Sequence, residues 1–136
     1  MQISYICTSY KIQSMQQLLQ DVIVLVKETG DFIRQESLKF DHSKIEYKGK
    51  NDLVSYVDKE AEKRLVAGLS EILPGSGFIA EEGTSTHKSD TYNWIIDPLD
   101  GTTNFTHGLP VFAISIARLK RGELALGVVY EINKYE

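Results

Sequence analysis

The apolar positions between residues 15 and 36 recur every three or four residues, and this spacing predicts an amphipathic helix with a wide apolar face. They are Leu18, Leu19, Val22, Ile23, Leu25, Val26, Phe32 and Ile33. Residues 37–51 are mostly polar and predict a loop or a short strand pair. A second helix is predicted from Ser55, which forms a short capping box with Asp58, and Pro74-Gly75 ends it.

Four β-rich runs follow, at residues 77–80, 92–96, 112–119 and 123–132. The last two predict a hairpin, because Lys120-Arg121-Gly122 supplies a turn between them. Pro98 fixes φ and has no N–H, so the chain is expected to leave the sheet directly after Asp97. Two helices lying on a largely antiparallel sheet predict an α+β fold.

The chain has 136 residues and a formal net charge of −4, which fits one acidic domain. An acidic chain without a dense Lys/Arg run argues against nucleic acid as a partner. No apolar run reaches about 18 residues, so no membrane span is expected. The single cysteine, Cys7, excludes an internal disulfide and favours a cytoplasmic location. Residues 1–14 are interpreted as an N-terminal extension.

Candidate chemistry concentrates after the second β-rich run. Asp97 and Asp100 flank a tight turn, and Gly101-Thr102-Thr103 has the character of a helix start, where free N–H groups favour anions. Two neighbouring carboxylates repel each other unless a cation lies between them, and oxygen ligands favour Mg²⁺ or Mn²⁺. Glu81-Glu82 offers a third carboxylate if its strand neighbours that of Asp97.

Three ordered strings carry a family resemblance. They are Asp52-Leu-Val-Ser-Tyr-Val-Asp58, Ala80-Glu81-Glu82-Gly83 and Trp94-Ile-Ile-Asp97-Pro98-Leu99-Asp100-Gly101-Thr102-Thr103-Asn104-Phe105. From about Met15 to Tyr130 the chain resembles the N-terminal half of the inositol monophosphatase family of metal-dependent, lithium-sensitive sugar phosphatases. The resemblance implies that residues 15–136 are the metal- and phosphate-binding N-terminal domain of an αβαβα sandwich, without its C-terminal domain.

The resemblance also implies residue roles in a site with two or more Mg²⁺ ions, or Mn²⁺. The implied metal ligands are Glu81, Asp97, the Leu99 carbonyl and Asp100. The implied phosphate-binding segment comprises Leu99, Asp100, Gly101 and Thr102, with the Gly101 and Thr102 amides holding the phosphate. Glu81 and the Thr102 hydroxyl would position the attacking water. Asp58 would lie near the metals and orient Thr102.

The residues alone leave some roles open. Asp58 fits a plain helix-cap carboxylate as well as a site residue. Lys48 and Lys50 fit a solvated loop, and the resemblance does not decide which of them matches a basic residue near the site.

The implied activity is Mg²⁺-dependent hydrolysis of a small sugar or inositol phosphate by direct phosphoryl transfer to water. A bisphosphate nucleotidase or a fructose-bisphosphatase is the alternative enzyme. A metal- and phosphate-binding remnant or an assembly subunit is the non-catalytic alternative.

Family enzymes are about twice this length, and their second half supplies another metal-binding aspartate. We therefore expect low turnover from the 136-residue chain alone, together with an exposed apolar sheet face. Homodimers are common in the family, and the resemblance therefore suggests a homodimer here.

Overall fold

The computed structural model describes residues 14–39, 47–85 and 87–136. Two long helices precede a four-stranded sheet, and a five-residue helix lies between the second and third strands. In chain order the elements are α1 (Met15–Leu38), α2 (Tyr47–Ile72), β1 (Gly77–Ala80), β2 (Tyr92–Asp100), α3 (Thr102–Thr106), β3 (Ala113–Lys120) and β4 (Glu123–Glu131).

Helix α1 confirms the helix predicted from residue 15. Its buried apolar residues follow the predicted stripe, and they are Leu18, Val22, Val26 and Ile33. Ser14 is the N-cap, and its hydroxyl accepts a hydrogen bond from the Gln17 amide at 3.1 Å. Ser14 therefore caps the first turn of α1. Residues 1–13, with Cys7, lie outside the described residues.

The predicted start of the second helix at Ser55 is wrong. Helix α2 begins at Tyr47, so Ser55 lies inside the helix and does not cap it. The physical reason is the buried stripe of α2. Val54 and Val57 are buried and continue the three- and four-residue spacing of Ala61 and Leu65 toward the N-terminus. Part of the segment expected to be a loop or strand pair is therefore helical.

The sheet has the order β1-β2-β3-β4. Strands β2, β3 and β4 pair antiparallel, whereas β1 pairs parallel with β2. The α+β class is confirmed. The expectation that the chain leaves the sheet after Asp97 is wrong, because β2 stays paired with β3 as far as Asp100. The pairing shifts between Asp97 and Asp100, so an irregularity of the bulge type accommodates Pro98.

The predicted hairpin is confirmed as β3 and β4. Its two-residue turn has positive φ at both Arg121 (51°) and Gly122 (82°), as a type I′ turn requires.

Both long helices contact the strands, and strand residues alternate between buried and accessible. Ile79 (44% exposed), Ile95 (39%) and Val129 (71%) remain accessible. Helices α1, α2 and α3 include no segment long and apolar enough to cross a membrane.

Candidate active site

The parallel pairing of β1 and β2 brings two predicted site residues together. Ala80 is paired with Ile96, so Glu81, directly after β1, is next to Asp97 of the adjacent strand β2. The Glu81 amide donates to the Ile96 carbonyl at 3.4 Å, which holds the end of β1 against β2. The strand that precedes Glu81 therefore neighbours the strand of Asp97, as a third carboxylate beside Asp97 requires.

Asp58 joins this pair from α2. Its side chain is only 6% exposed, and it lies in the interior of the helix, so the helix-cap interpretation is wrong. Burial raises the pKa of Asp58 from 3.8 to about 7, and the nearby charges of Glu82, Glu81, Asp97 and Glu62 contribute to the rise. Asp58 therefore lies within a field of carboxylates contributed by three elements. We call Asp58, Glu81 and Asp97 the acidic cluster.

Asp97 lies where these carboxylates meet. Burial raises the pKa of Asp97 to about 6. The charge of Glu81 and a hydrogen bond between the Glu81 and Asp97 side chains add to the rise, and the charge of Asp100 contributes less. A backbone hydrogen bond from Leu99 acts in the opposite direction. Asp97 Oδ1 is buried and has no hydrogen-bond partner among the described residues. A buried carboxylate oxygen in this state is stabilised by a proton or a cation.

The segment after β2 places backbone amides beside Asp100. Gly101 adopts the left-handed conformation at φ 102° and is the N-cap of α3. A Cβ at this position would lie 2.9 Å from the Val111 carbonyl oxygen, so glycine is required on both counts. The buried ring of Phe105, 5.3 Å from that of Phe112, anchors the short helix. The predicted helix start is confirmed, with Thr102 as its first residue.

Glu62 is the residue that the sequence analysis missed. Its side chain is completely buried in α2, and its carboxylate accepts three hydrogen bonds from the turn that follows β1. The donors are the Glu82 amide (2.7 Å), the Thr84 amide (2.9 Å) and the Thr84 hydroxyl (2.7 Å). The available signal was an acidic residue on the buried stripe, four positions after Asp58 and therefore on the same helix face.

The sequence profile of the inositol monophosphatase family matches residues 14–135, which is nearly the whole chain. The chain belongs to the inositol monophosphatase family. This match confirms the resemblance that the three sequence strings indicated. The predicted fold, the N-terminal half of the family's sandwich, is also confirmed, because solved structures of family members share it.

Among relatives, the inositol-1-monophosphatase of Mesorhizobium japonicum is 39% identical over 114 residues, which are 83% of this chain and 43% of that protein. A fructose-1,6-bisphosphatase/inositol-1-monophosphatase of Aquifex aeolicus is 33% identical over 119 residues, 88% of this chain and 45% of that protein. The crystal structure of inositol monophosphatase-II from Staphylococcus aureus has a TM-score of 0.73 at 32% identity, covering 90% of this chain and 45% of that one. The chain thus spans less than half the length of these inositol monophosphatase family members.

The candidate metal ligands of this family member are oxygen atoms of carboxylates and of one backbone carbonyl. Across residues 14–39, 47–85 and 87–136, no three His, Cys, Asp or Glu side chains are arranged to hold an ion by themselves. The donors nevertheless fit a hard divalent cation, since they are all oxygen atoms and Asp97 Oδ1 lacks a partner within the described part of the chain. Lys48 and Lys50 fall in the first turn of α2, and their roles stay open.

A large surface groove lies away from these acids. A groove of about 400 Å³ runs between α1 and β4, lined by Leu19, Ile23 and Val129 among others. A smaller pocket of about 210 Å³ is lined by Asp100, Gly101 and Asn104. Chemistry, and not cavity size, therefore identifies the candidate site.

Proposed function

We propose that this chain supplies the metal- and phosphate-binding half of an Mg²⁺-dependent phosphomonoesterase that acts on a small sugar or inositol phosphate. The observation that carries the proposal is the acidic cluster, in which carboxylates of α2, β2 and the end of β1 repel one another. Such a cluster is stabilised when divalent cations bind it. Membership of the inositol monophosphatase family supports the same proposal.

In this proposal the metal ligands are the carboxylates of Glu81, Asp97 and Asp100, together with the Leu99 carbonyl. They would hold two or more Mg²⁺ ions, or Mn²⁺, with a further aspartate from the other half of the protein. Bound divalent ions lower the pKa of water and stabilise negative charge on phosphate and on the leaving oxygen.

The protein groups around the metals would bind and orient the reactants. The amides of Gly101 and Thr102 bind phosphate oxygens, because N–H groups at a helix start have no acceptor within the helix. The Thr102 hydroxyl and the Glu81 carboxylate orient the attacking water. Asp58 orients Thr102, which the contact of α2 with both β2 and α3 supports. We propose a cytoplasmic location and a homodimer for the whole protein.

A fructose-bisphosphatase activity is the second candidate, and the name of the Aquifex aeolicus relative, which combines both activities, favours it. Phosphate release from inositol monophosphate, fructose 1,6-bisphosphate and a 3′,5′-bisphosphate nucleotide, measured side by side with Mg²⁺, distinguishes the enzyme classes. The expected order places inositol monophosphate first, with low turnover from the 136-residue chain.

The metal proposal is tested with Asp97→Asn, using Asp90→Asn, at an exposed position, as the control of equal charge change. Calorimetric titration with Mg²⁺ and Mn²⁺ is expected to show binding by the wild-type and Asp90→Asn chains, and at least about 10-fold weaker binding by Asp97→Asn. Equal binding by all three chains, or none by the wild type at millimolar metal, contradicts the proposal. Binding without phosphate release supports the non-catalytic alternative.

A further inference from the structure

Glu62 is a buried carboxylate that the proposed reaction does not use. It lies in the interior of α2, and a carboxylate removed from water is costly unless hydrogen bonds replace its hydration. Here two backbone amides and one hydroxyl do so, at 2.7–2.9 Å. All three donors belong to residues 82 and 84, so Glu62 ties one turn of the chain to the helix.

That turn carries a proposed metal ligand. The Glu82 amide, which donates to Glu62, belongs to the peptide bond that directly follows Glu81. The Gly83 amide donates to the Ala80 carbonyl at 3.3 Å, and Gly83 has a positive φ of 69°. The turn is therefore short and closed, and the Glu62 carboxylate binds the Glu82 and Thr84 amides of this turn.

Helix α2 also carries Asp58, four residues before Glu62. Residues four apart lie on one helix face, so the same face presents Asp58 to the cluster and Glu62 to the turn. A single rigid element thereby sets the distance between Asp58 and Glu81. Thr84 completes the arrangement, because its hydroxyl and its amide bind the same oxygen, Glu62 Oε1.

We propose that Glu62 is a positioning residue that holds the Glu81–Thr84 turn so that the Glu81 carboxylate faces Asp97 for divalent-metal binding. The inference rests on the proposed function, since the ligand role of Glu81 is part of it. Glu62 acts only through the turn.

The test measures Mn²⁺ affinity by calorimetry alongside the melting temperature. Thr84→Val removes one of the three hydrogen bonds while it preserves the shape of the side chain and the amide. It is expected to weaken Mn²⁺ binding about 3–10-fold, and Glu62→Gln about 10–100-fold. Thr84→Ser keeps the hydroxyl and is expected to retain wild-type affinity.

Thr29→Val is the matched control. The buried Thr29 hydroxyl donates to the Leu25 carbonyl at 2.9 Å inside α1, so its loss removes one comparable hydrogen bond away from the turn. This variant is expected to melt at a lower temperature with unchanged Mn²⁺ affinity. Hydrogen exchange at the Glu82 and Thr84 amides, followed by NMR, is expected to speed up in Glu62→Gln and to stay unchanged in Thr29→Val.

The outcomes separate the two proposals. Wild-type binding that persists unchanged in Thr84→Val and Glu62→Gln, with only a lower melting temperature, overturns the positioning role alone. Absence of Mn²⁺ binding by the wild type overturns the proposed function and the positioning role with it. Should Glu62→Gln not fold, Thr84→Val compared with Thr84→Ser decides the question.

Discussion

Replacing Asp58 by asparagine is expected to stabilise the metal-free chain at pH 8. The pKa of Asp58 is raised from 3.8 to about 7, chiefly by burial, so the folded state holds this proton more tightly than the unfolded state. The stability that the protonated group contributes is fully present below about pH 4 and is lost as the pH rises through 7. The raised pKa of Asp97 acts in the same direction.

The size of the effect follows from the pKa. The difference between 3.8 and about 7 corresponds to at most about 4 kcal/mol. Solvent that reaches the cluster screens the charges and reduces this to about 1–2 kcal/mol. Because the asparagine side chain stays neutral at every pH, the variant escapes the loss at pH 8, and its melting temperature is expected to rise by roughly 3–5 °C for each kcal/mol.

The assay is urea unfolding of the wild-type, Asp58→Asn and Asp90→Asn chains in chelator, from pH 4 to pH 8. The advantage of Asp58→Asn is expected to fall below about 0.5 kcal/mol at pH 4, where the folded wild type is protonated as well. Asp90→Asn removes the same charge from an exposed loop position and should follow the wild type. An Asp58→Asn chain that is less stable than the wild type at pH 8, or an advantage independent of pH, would refute the reasoning.

Two further substitutions test local geometry. Gly101→Ala is expected to cost about 1–3 kcal/mol of unfolding free energy, because φ is positive and the new Cβ would lie 2.9 Å from the Val111 carbonyl oxygen. Gly75→Ala, also at positive φ but in open space, should cost less, and equal costs would argue against the close contact. Ser76→Ala is expected to cost about 1–3 kcal/mol, since it removes the 3.0 Å acceptor of the buried Trp94 indole N–H, and the fluorescence of this single tryptophan reports the unfolding.

Local sequence patterns were sufficient to predict those helices and turns that a single stretch of chain determines. The buried face of α1 recurs every three or four residues, with Thr29 and Gly30 in place of apolar side chains, and the helix ends within two residues of the predicted end. Arg121 and Gly122 lie between two β-rich runs, so the β3–β4 hairpin could be predicted from one continuous stretch of chain. The α3 start could likewise be predicted, because Gly101 provides a conformation that other residues avoid.

Features that depend on distant partners escaped prediction. Ser55 has the chemistry of a cap, yet the burial of Val54 against the core extends α2 past it. Pro98 stays within a paired strand because a pairing irregularity accommodates its missing N–H. Glu62 is an acid at a core position, and only the fold shows which amides satisfy it.

The order of the strands also bears on the folding kinetics of the chain. A hairpin such as β3–β4 closes in about 1–10 μs, whereas the parallel pair β1–β2 must close a longer connection that contains Glu81. The proposed metal site needs Glu81 and Asp97 from two strands, so we expect it to be complete only once β1 and β2 have paired. Interactions that form late act mainly on the rate of unfolding. Divalent ions are thus expected to prolong the lifetime of the folded chain, with little effect on how fast it refolds.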